Sequence, residues 1–263
     1  MTPITGMDLT GFTEREPGVW MDERGVLLSV HYFDQVPDLP APLEEPERLR
    51  SVLAHGVAAA GGGLIEAAAG VVDGVPAVLQ LVKMPRPDGH GQVFLGSWTV
   101  PRAGCSTVVK VQAAEGATTG MREAMIMGQV GPAEYFRAHP YANGLQGGLP
   151  YHVGDHEEWD ARFPDHPLTL VRAALRRIAP TVTLDERFKT LPPFGPPAQA
   201  PSAGGGFGAP TGPRQAVPSP AAPAGPAGGA PGGPAGPSAP PATGSSPMPL
   251  QPGPGWFRRR GRR

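Results

Sequence analysis

The stretch LIEAAAGVVDGVPAVLQLVKM (residues 64–84) decides the fold of this chain. Apolar runs of strand length flank Asp73-Gly74, and an Asp-Gly pair between two such runs is among the strongest short signals for a β-hairpin. Two more apolar runs of similar length follow at residues 93–100 and 106–113. This spacing predicts a four-stranded antiparallel meander.

Further strand and helix patterns lie on both sides of the meander. Residues 26–33, VLLSVHYF, are rich in residue types that favour strands. Apolar side chains recur at three- and four-residue spacing in residues 44–60, 119–130 and 168–178, which predicts three amphipathic helices. This order of elements is typical of an α+β domain. We therefore expect an antiparallel β-sheet meander with helices packed on one face.

The predicted helix at residues 119–130 carries four small or apolar residues at helical spacing, which we expect to face inward: Met121, Ala124, Met125 and Gly128. Three- and four-residue intervals place side chains on one face of a helix. Methionine also suits adaptable binding surfaces. Packing in the core is nevertheless the expected role of these side chains.

Proline and glycine mark a boundary near residue 195. The chain has 36 Pro and 38 Gly among 263 residues, and Arg214 is the only charged residue between 195 and 255. Such a segment buries too little apolar surface to offset the entropy of ordering it. We expect residues 1–17 to be flexible, 18–194 to form a single α+β domain, and 195–255 to be a disordered linker.

Charge divides the chain at the same boundary. All 23 acidic residues precede residue 195, together with 16 of the 22 basic residues, so the predicted domain has a net charge of −7. This charge argues against nucleic-acid binding by the domain, because phosphate contacts need basic side chains. Cys105 is the only cysteine, so the sequence gives no sign of an oxidising compartment. With no secretory signal and no apolar run long enough to span a bilayer, we expect a cytoplasmic protein.

The densest polar cluster lies in residues 151–166, within an irregular region rich in Gly, Pro, His and aromatic residues. Imidazole and carboxylate groups bind divalent metals, so His152, Asp155 and His156 form a candidate metal site. A metal-dependent enzyme using this loop is therefore one functional hypothesis. The alternative is a solvated acidic loop that caps the helix at residues 168–178. The sequence has no motif for an organic cofactor, and we expect none.

The C-terminal residues form an aromatic-arginine cluster at 256–263, and its candidate partner-binding residues are Trp256, Phe257, Arg258, Arg259, Arg260, Arg262 and Arg263. Arginine beside large aromatic rings suits an anionic membrane surface, where the rings enter the interface and guanidinium groups pair with phosphates. The same side chains suit single-stranded nucleic acid or an acidic groove on a protein. A solubilising end without a dedicated partner is the alternative.

The chain resembles the PsbP-like fold and the small bacterial domains related to it. The resemblance covers roughly residues 18–130 and is carried by VLLSVHYF, the Asp73-Gly74 hairpin, LGSWTVP and TTGMREAMIMGQV. The segment FPDHPL, starting at Phe163, is similar to sequence in uncharacterised actinobacterial proteins. This resemblance implies a scaffold, an electron-transport accessory subunit or a chaperone for hydrophobic segments, and it implies no shared active site.

Three functional hypotheses follow from these patterns. The leading one is a non-enzymatic cytoplasmic adaptor, or a chaperone-like protein, that binds a protein partner and carries a flexible tail for an anionic or protein target. The second is the metal-dependent enzyme centred on residues 151–166. The third is a substrate or accessory protein of an actinobacterial secretion system, because Tyr151 and Asp155 match the YxxxD pattern of such export signals.

Overall fold

A computed structural model describes residues 2–195. The strands are β1 (Ile4–Gly6), β2 (Phe12–Glu16), β3 (Val19–Asp22), β4 (Leu27–Phe33), β5 (Gly63–Val72), β6 (Val75–Pro85), β7 (Gln92–Pro101), β8 (Ser106–Ala114) and β9 (Thr183–Leu184). The α-helices are α1 (Pro46–Ala59), α2 (Met121–Val130), α3 (Pro132–Tyr135), α4 (Pro167–Ile178) and α5 (Glu186–Lys189). Short 3₁₀ turns occupy Val153–Asp155, Glu157–Arg162 and Ala179–Thr181.

Seven antiparallel strands form the main sheet in the order β2-β3-β4-β8-β7-β6-β5. Its last four strands are the predicted meander, and Val72 pairs with Val75 across the first hairpin. Asp73 and Gly74 have φ angles of 47° and 78°, as a type I′ turn requires at both central positions. The α+β class and the antiparallel meander are therefore confirmed.

The pairing of β4 with β8 joins the two halves of the sheet. Leu27 pairs with Gln112 and Phe33 with Ser106, so β4 is continuous with the far edge of the meander. The β2–β3 hairpin extends the sheet beyond β4. Alternation within each strand predicts the strands themselves, but this long-range order has no local sequence signal.

The helices, which we expected on one face, lie on both faces of the sheet. Leu81 belongs to the main core with Val171 and Leu175 of α4. Val78 packs instead with Leu49 of α1. Leu81 and Val78 are three residues apart on β6, and an odd separation places side chains on opposite faces of a strand. The helices divide between the two faces because β6 carries apolar side chains on both, and each set must be buried against a helix.

Close packing of α4 depends on a glycine in β7. A Cβ atom at Gly96 would lie 2.2 Å from Cδ1 of Leu175 and 2.8 Å from Cγ1 of Val171. Both contacts are far shorter than van der Waals distance, so only glycine lets the helix approach the sheet this closely. This contact fixes the position of α4 and therefore that of the polar residues at its N-terminus.

The N-terminal segment, which we expected to be flexible, forms part of the domain. Strand β1 pairs with β9, and β2 pairs with β3. The backbone N–H of Asp185 donates to the carbonyl of Pro3 at 2.7 Å, and Arg177 donates to the carbonyl of Thr10. Ile4 packs against the main core. Apart from the local β2–β3 hairpin, these contacts join residues roughly 170–180 positions apart, so the local sequence does not indicate them.

The irregular region between α3 and α4 is packed against the rest of the domain. The N–H of Leu149 donates to the carbonyl of Gly62 at 2.9 Å. Nε2 of His139 lies 3.0 Å from the carbonyl of Leu64. These bonds fix the region to the start of β5 and so position the residues that follow it. The predicted linker beyond Gly195 and the cluster at 256–263 lie outside the described residues.

Candidate functional site

A buried ion pair links the sheet to the irregular region. Nζ of Lys83, on β6, lies 2.8 and 2.7 Å from the two carboxylate oxygens of Asp155. It also lies 2.9 Å from Nε2 of His152. The side chains of Lys83 and Asp155 are both only 1% exposed. Such a pair is stable in the interior only when its remaining hydrogen-bonding groups are also satisfied.

Local backbone structure holds Asp155 in place. A 3₁₀ turn brings its Oδ2 within 3.0 Å of the backbone N–H of His152, which donates to it. Its carbonyl accepts a 2.6 Å bond from the guanidinium of Arg172 on α4. The turn, α4 and β6 therefore all converge on this one residue.

Burial keeps His152 neutral. It lowers the pKa of His152 to about 4, and although Asp155 opposes the shift, the charges of Lys83 and Arg122 add to it. Nε2 therefore accepts from the Lys83 ammonium, and the ring proton sits on Nδ1, 3.6 Å from Oδ2 of Asp155. The ring of Tyr135 stacks on the imidazole with 4.8 Å between centroids. Burial also raises the pKa of the Tyr135 hydroxyl.

Two of the three residues predicted to bind a metal come together, and the third does not. His152 and Asp155 meet at Lys83, whose ammonium lies between their polar atoms. His156 is partly exposed and lies beside Glu158, 3.7 Å from its carboxylate. Lys83 is absent from the predicted set, although a lysine beside Val82 in an apolar strand is a usable signal for a buried charge.

A second buried charge, Arg122 on α2, crosslinks the same region. Its side chain is fully buried and donates to four groups. These acceptors are the carbonyls of Gly154 and His156, the hydroxyl of Thr169 and the carboxylate of Asp160, at distances of 2.8–3.1 Å. Asp160 also accepts from Arg172. Arg122 thus fixes both the position and the rotation of α2.

The rotation of α2 reverses the expected burial of its apolar residues. Met121 and Met125, predicted to face inward, are 53% and 52% exposed. Ala124 and Gly128 are also exposed, whereas Arg122 and Ile126 are buried. The reason is that the guanidinium finds its acceptors only in the interior, and successive helix residues are about 100° apart. We call Met121, Ala124, Met125 and Gly128 the methionine face.

A cleft of about 350 Å³ lies beside the methionine face, and its lining includes Arg24, Ala113, Glu115, Met121, His166 and Leu170. Ala113 and Leu170 give it an apolar floor, while Arg24, Glu115 and His166 are polar. Within residues 2–195, Glu115 and His166 also belong, with Glu123, to the one group of three side chains whose ligand atoms approach closely enough for a shared metal ion.

Acidic pH is expected to destabilise the domain through His152. The unfolded chain takes up a proton below the ordinary pKa of about 6.5, whereas the folded protein does so only near pH 4. Stability present above pH 6.5 is therefore lost as the pH falls towards 4. We expect the free energy of unfolding to fall by about 2 kcal/mol between pH 7 and pH 4.5.

Urea unfolding at constant ionic strength measures this change. His152→Gln should reduce the pH dependence between 7 and 4.5, and His55→Gln, at an exposed position, should leave it unchanged. Burial lowers the pKa of His139 as well, so part of the dependence remains in the His152 variant. An identical dependence in wild type and His152→Gln would show that His152 is not the group responsible.

Comparisons with known proteins give no match to any family model or to any curated protein sequence. Among residues 2–195, no helix combines the length and apolar character needed to cross a membrane. Cys105 is buried. The predicted partner-binding residues of the C-terminal cluster lie outside the described residues.

Proposed function

We propose that this protein is a non-enzymatic cytoplasmic adaptor or chaperone-like protein, and that the methionine face of α2 binds an apolar segment of a partner protein. The exposure of Met121 and Met125 carries this proposal. Two large apolar side chains one helical turn apart are left in solvent while an arginine is buried beside them. Burying a methionine side chain stabilises a complex by about 1.5–3 kcal/mol, so a partner that covers this face gains binding free energy.

The chemistry of the surface indicates what the partner segment looks like. Methionine is flexible and polarizable, so it adapts to side chains of different shape. Met121 also lines the cleft, which gives a concave site beside a convex helix face. The domain has a net charge of −7, so a segment with apolar side chains on one face and basic ones on the other is complementary. An amphipathic basic helix is therefore the proposed ligand.

The buried groups support a binding role over catalysis by residues 151–166. Lys83, His152 and Asp155 are buried away from solvent, and the ammonium of Lys83 bonds to both of the other side chains. The lone buried Cys105 is consistent with a reducing compartment. The C-terminal cluster remains a proposed contact for an anionic surface, and its support is the sequence of residues 256–263 alone.

Binding of a labelled peptide tests the proposal. The probe is a fluorescein-labelled amphipathic helix of leucine and lysine, and its affinity for the full chain is measured by fluorescence anisotropy. Met121→Gln/Met125→Gln is expected to weaken binding by at least about tenfold, because it removes apolar contact area from the face without changing its charge. Both positions are exposed, so the domain should fold normally.

Two matched variants locate the effect. Val36→Gln changes an apolar residue that is 69% exposed and lies outside α2, and it should bind as wild type does. Deletion of residues 256–263 should also leave peptide binding unchanged, because a basic peptide has no attraction to an arginine cluster. Equal affinities of the wild type and the double methionine variant would refute binding at this face.

A further inference from the structure

Two carboxylates and an imidazole converge at the end of the cleft. Glu115 follows β8, Glu123 lies in the first turn of α2, and His166 is the N-cap of α4. One ligand atom from each residue lies within 4.8 Å of those of the other two. Glu115 and His166 line the cleft, so the group can be reached from solvent.

Two of these side chains carry a buried polar atom without a hydrogen-bond partner, and the atom of His166 lies 3.8 Å from Oε1 of Glu115. They are Oε2 of Glu123 and Nε2 of His166. The His166 side chain is 10% exposed, so water has little access to it. Buried polar atoms in proteins are normally satisfied. Two unsatisfied atoms at one point therefore indicate a ligand that both can bind.

Glu115 is oriented in the manner of a metal ligand. The backbone N–H of Gly120 donates to its Oε1 at 2.9 Å, and that of Gln92 donates to its Oε2 at 2.8 Å. Each carboxylate oxygen has a second lone pair that remains available. Hydrogen bonds that fix a ligand in this way are a regular feature of metal centres.

The local charges favour a cation. Nδ1 of His166 accepts from the N–H of Leu168 at 3.2 Å, so this nitrogen carries no proton. The guanidinium of Arg86 bonds the backbone carbonyl of Glu115 and the carboxylate of Asp88 instead. Lys83 is held by Asp155. Two carboxylates at close range repel one another, and a cation between them removes that repulsion.

We propose that Glu115, Glu123 and His166 bind a divalent transition-metal ion, with Zn²⁺ as the best match. Imidazole nitrogen suits zinc better than magnesium or calcium, and three protein ligands with an open position towards a cleft are a familiar zinc arrangement. The ion takes Nε2 of His166, and the ring proton moves to Nδ1. Metal binding therefore replaces the cap on Leu168 and connects the starts of α2 and α4 through one ion.

Calorimetry on the full chain tests this site. Protein treated with EDTA and dialysed is titrated with Zn²⁺ and, separately, with Mg²⁺. We expect one equivalent of Zn²⁺ at micromolar affinity or tighter, at least about tenfold weaker Mg²⁺ binding, and a higher melting temperature with Zn²⁺. Glu123→Gln and His166→Asn should each weaken Zn²⁺ binding at least about tenfold. Asparagine keeps a side-chain acceptor at the N-cap, so the second variant preserves the start of α4.

Glu158→Gln is the matched control, because it removes an exposed carboxylate from the same region and should not change Zn²⁺ affinity. Absence of stoichiometric Zn²⁺ binding by the wild type would overturn the proposal. Wild-type affinity in both site variants would overturn it as well, since the ion would then be bound elsewhere. If Glu123→Gln does not give a native circular dichroism spectrum, His166→Asn alone is the test. Weaker Zn²⁺ binding by this variant supports the site, and wild-type affinity overturns it.

Discussion

Replacing Lys83 with methionine is expected to lower the free energy of unfolding by about 3–5 kcal/mol. Methionine fills a similar volume, but it leaves the carboxylate of Asp155 buried without its cation. Nε2 of His152 loses its donor in the same substitution. Urea unfolding at pH 7 measures the effect. This is a large part of the stability of a domain of this size.

The partner substitution and an exposed pair provide the controls. Lys83→Met/Asp155→Asn removes both charges, keeps an acceptor for the N–H of His152, and should recover more than half of the loss. Arg48→Met breaks an exposed ion pair with Glu45 and should change stability by less than about 1 kcal/mol. A loss below about 1 kcal/mol for Lys83→Met would show that the interior pair is not formed in solution.

Arg122→Lys is expected to destabilise the domain by about 3 kcal/mol even though it keeps the positive charge. The guanidinium reaches two backbone carbonyls, a hydroxyl and a carboxylate in different directions. An ammonium is a single point with three donors and cannot span them, so buried acceptors lose their partners. The same urea experiment measures the loss.

Arg137→Lys is the matched control, because Arg137 pairs with Glu134 at the surface. It should change stability by less than about 0.5 kcal/mol. The Arg122 variant should also bind the amphipathic peptide less tightly, because the rotation of α2 depends on this side chain. Wild-type stability and wild-type peptide binding in Arg122→Lys would show that other contacts orient the helix.

The strands of the meander were predictable because their signals are local. Alternating apolar residues and the Asp73-Gly74 turn lie within about twenty residues of one another. The position of β4 beside β8, and the division of α1 and α4 between two faces, depend on contacts between distant segments. No short pattern encodes them. The same holds for β1, whose partner β9 lies at the other end of the domain.

The orientation of α2 shows where periodicity misleads. Apolar spacing predicted that Met121 and Met125 face inward, on the assumption that the apolar side of a helix is the buried one. The assumption fails because Arg122 has four acceptors in the interior, and these lie in segments 32–47 residues away. The free energy gained when the buried Arg122 binds all of its acceptors exceeds the cost of exposing two methionines. That cost is a few kcal/mol at most.

The candidate site was predictable in part. His152 and Asp155 stand three residues apart, so their proximity follows from the local chain. Lys83 reaches them from 69 and 72 residues away, and only the folded sheet brings it there. The group of Glu115, Glu123 and His166 likewise draws on three separate elements, and the two glutamates lie in segments without any metal-binding motif.

The pairing of β1 with β9 has a consequence for synthesis on the ribosome. Among the described strands, β1 is translated before the others and is the last to find its partner, because residues 183 and 184 are made about 180 positions later. At roughly 5–20 residues per second, the apolar side chains of the N-terminal segment wait for about ten to forty seconds before the sheet can be completed. During that interval we expect the apolar side chains of this segment to be exposed to cellular holdases.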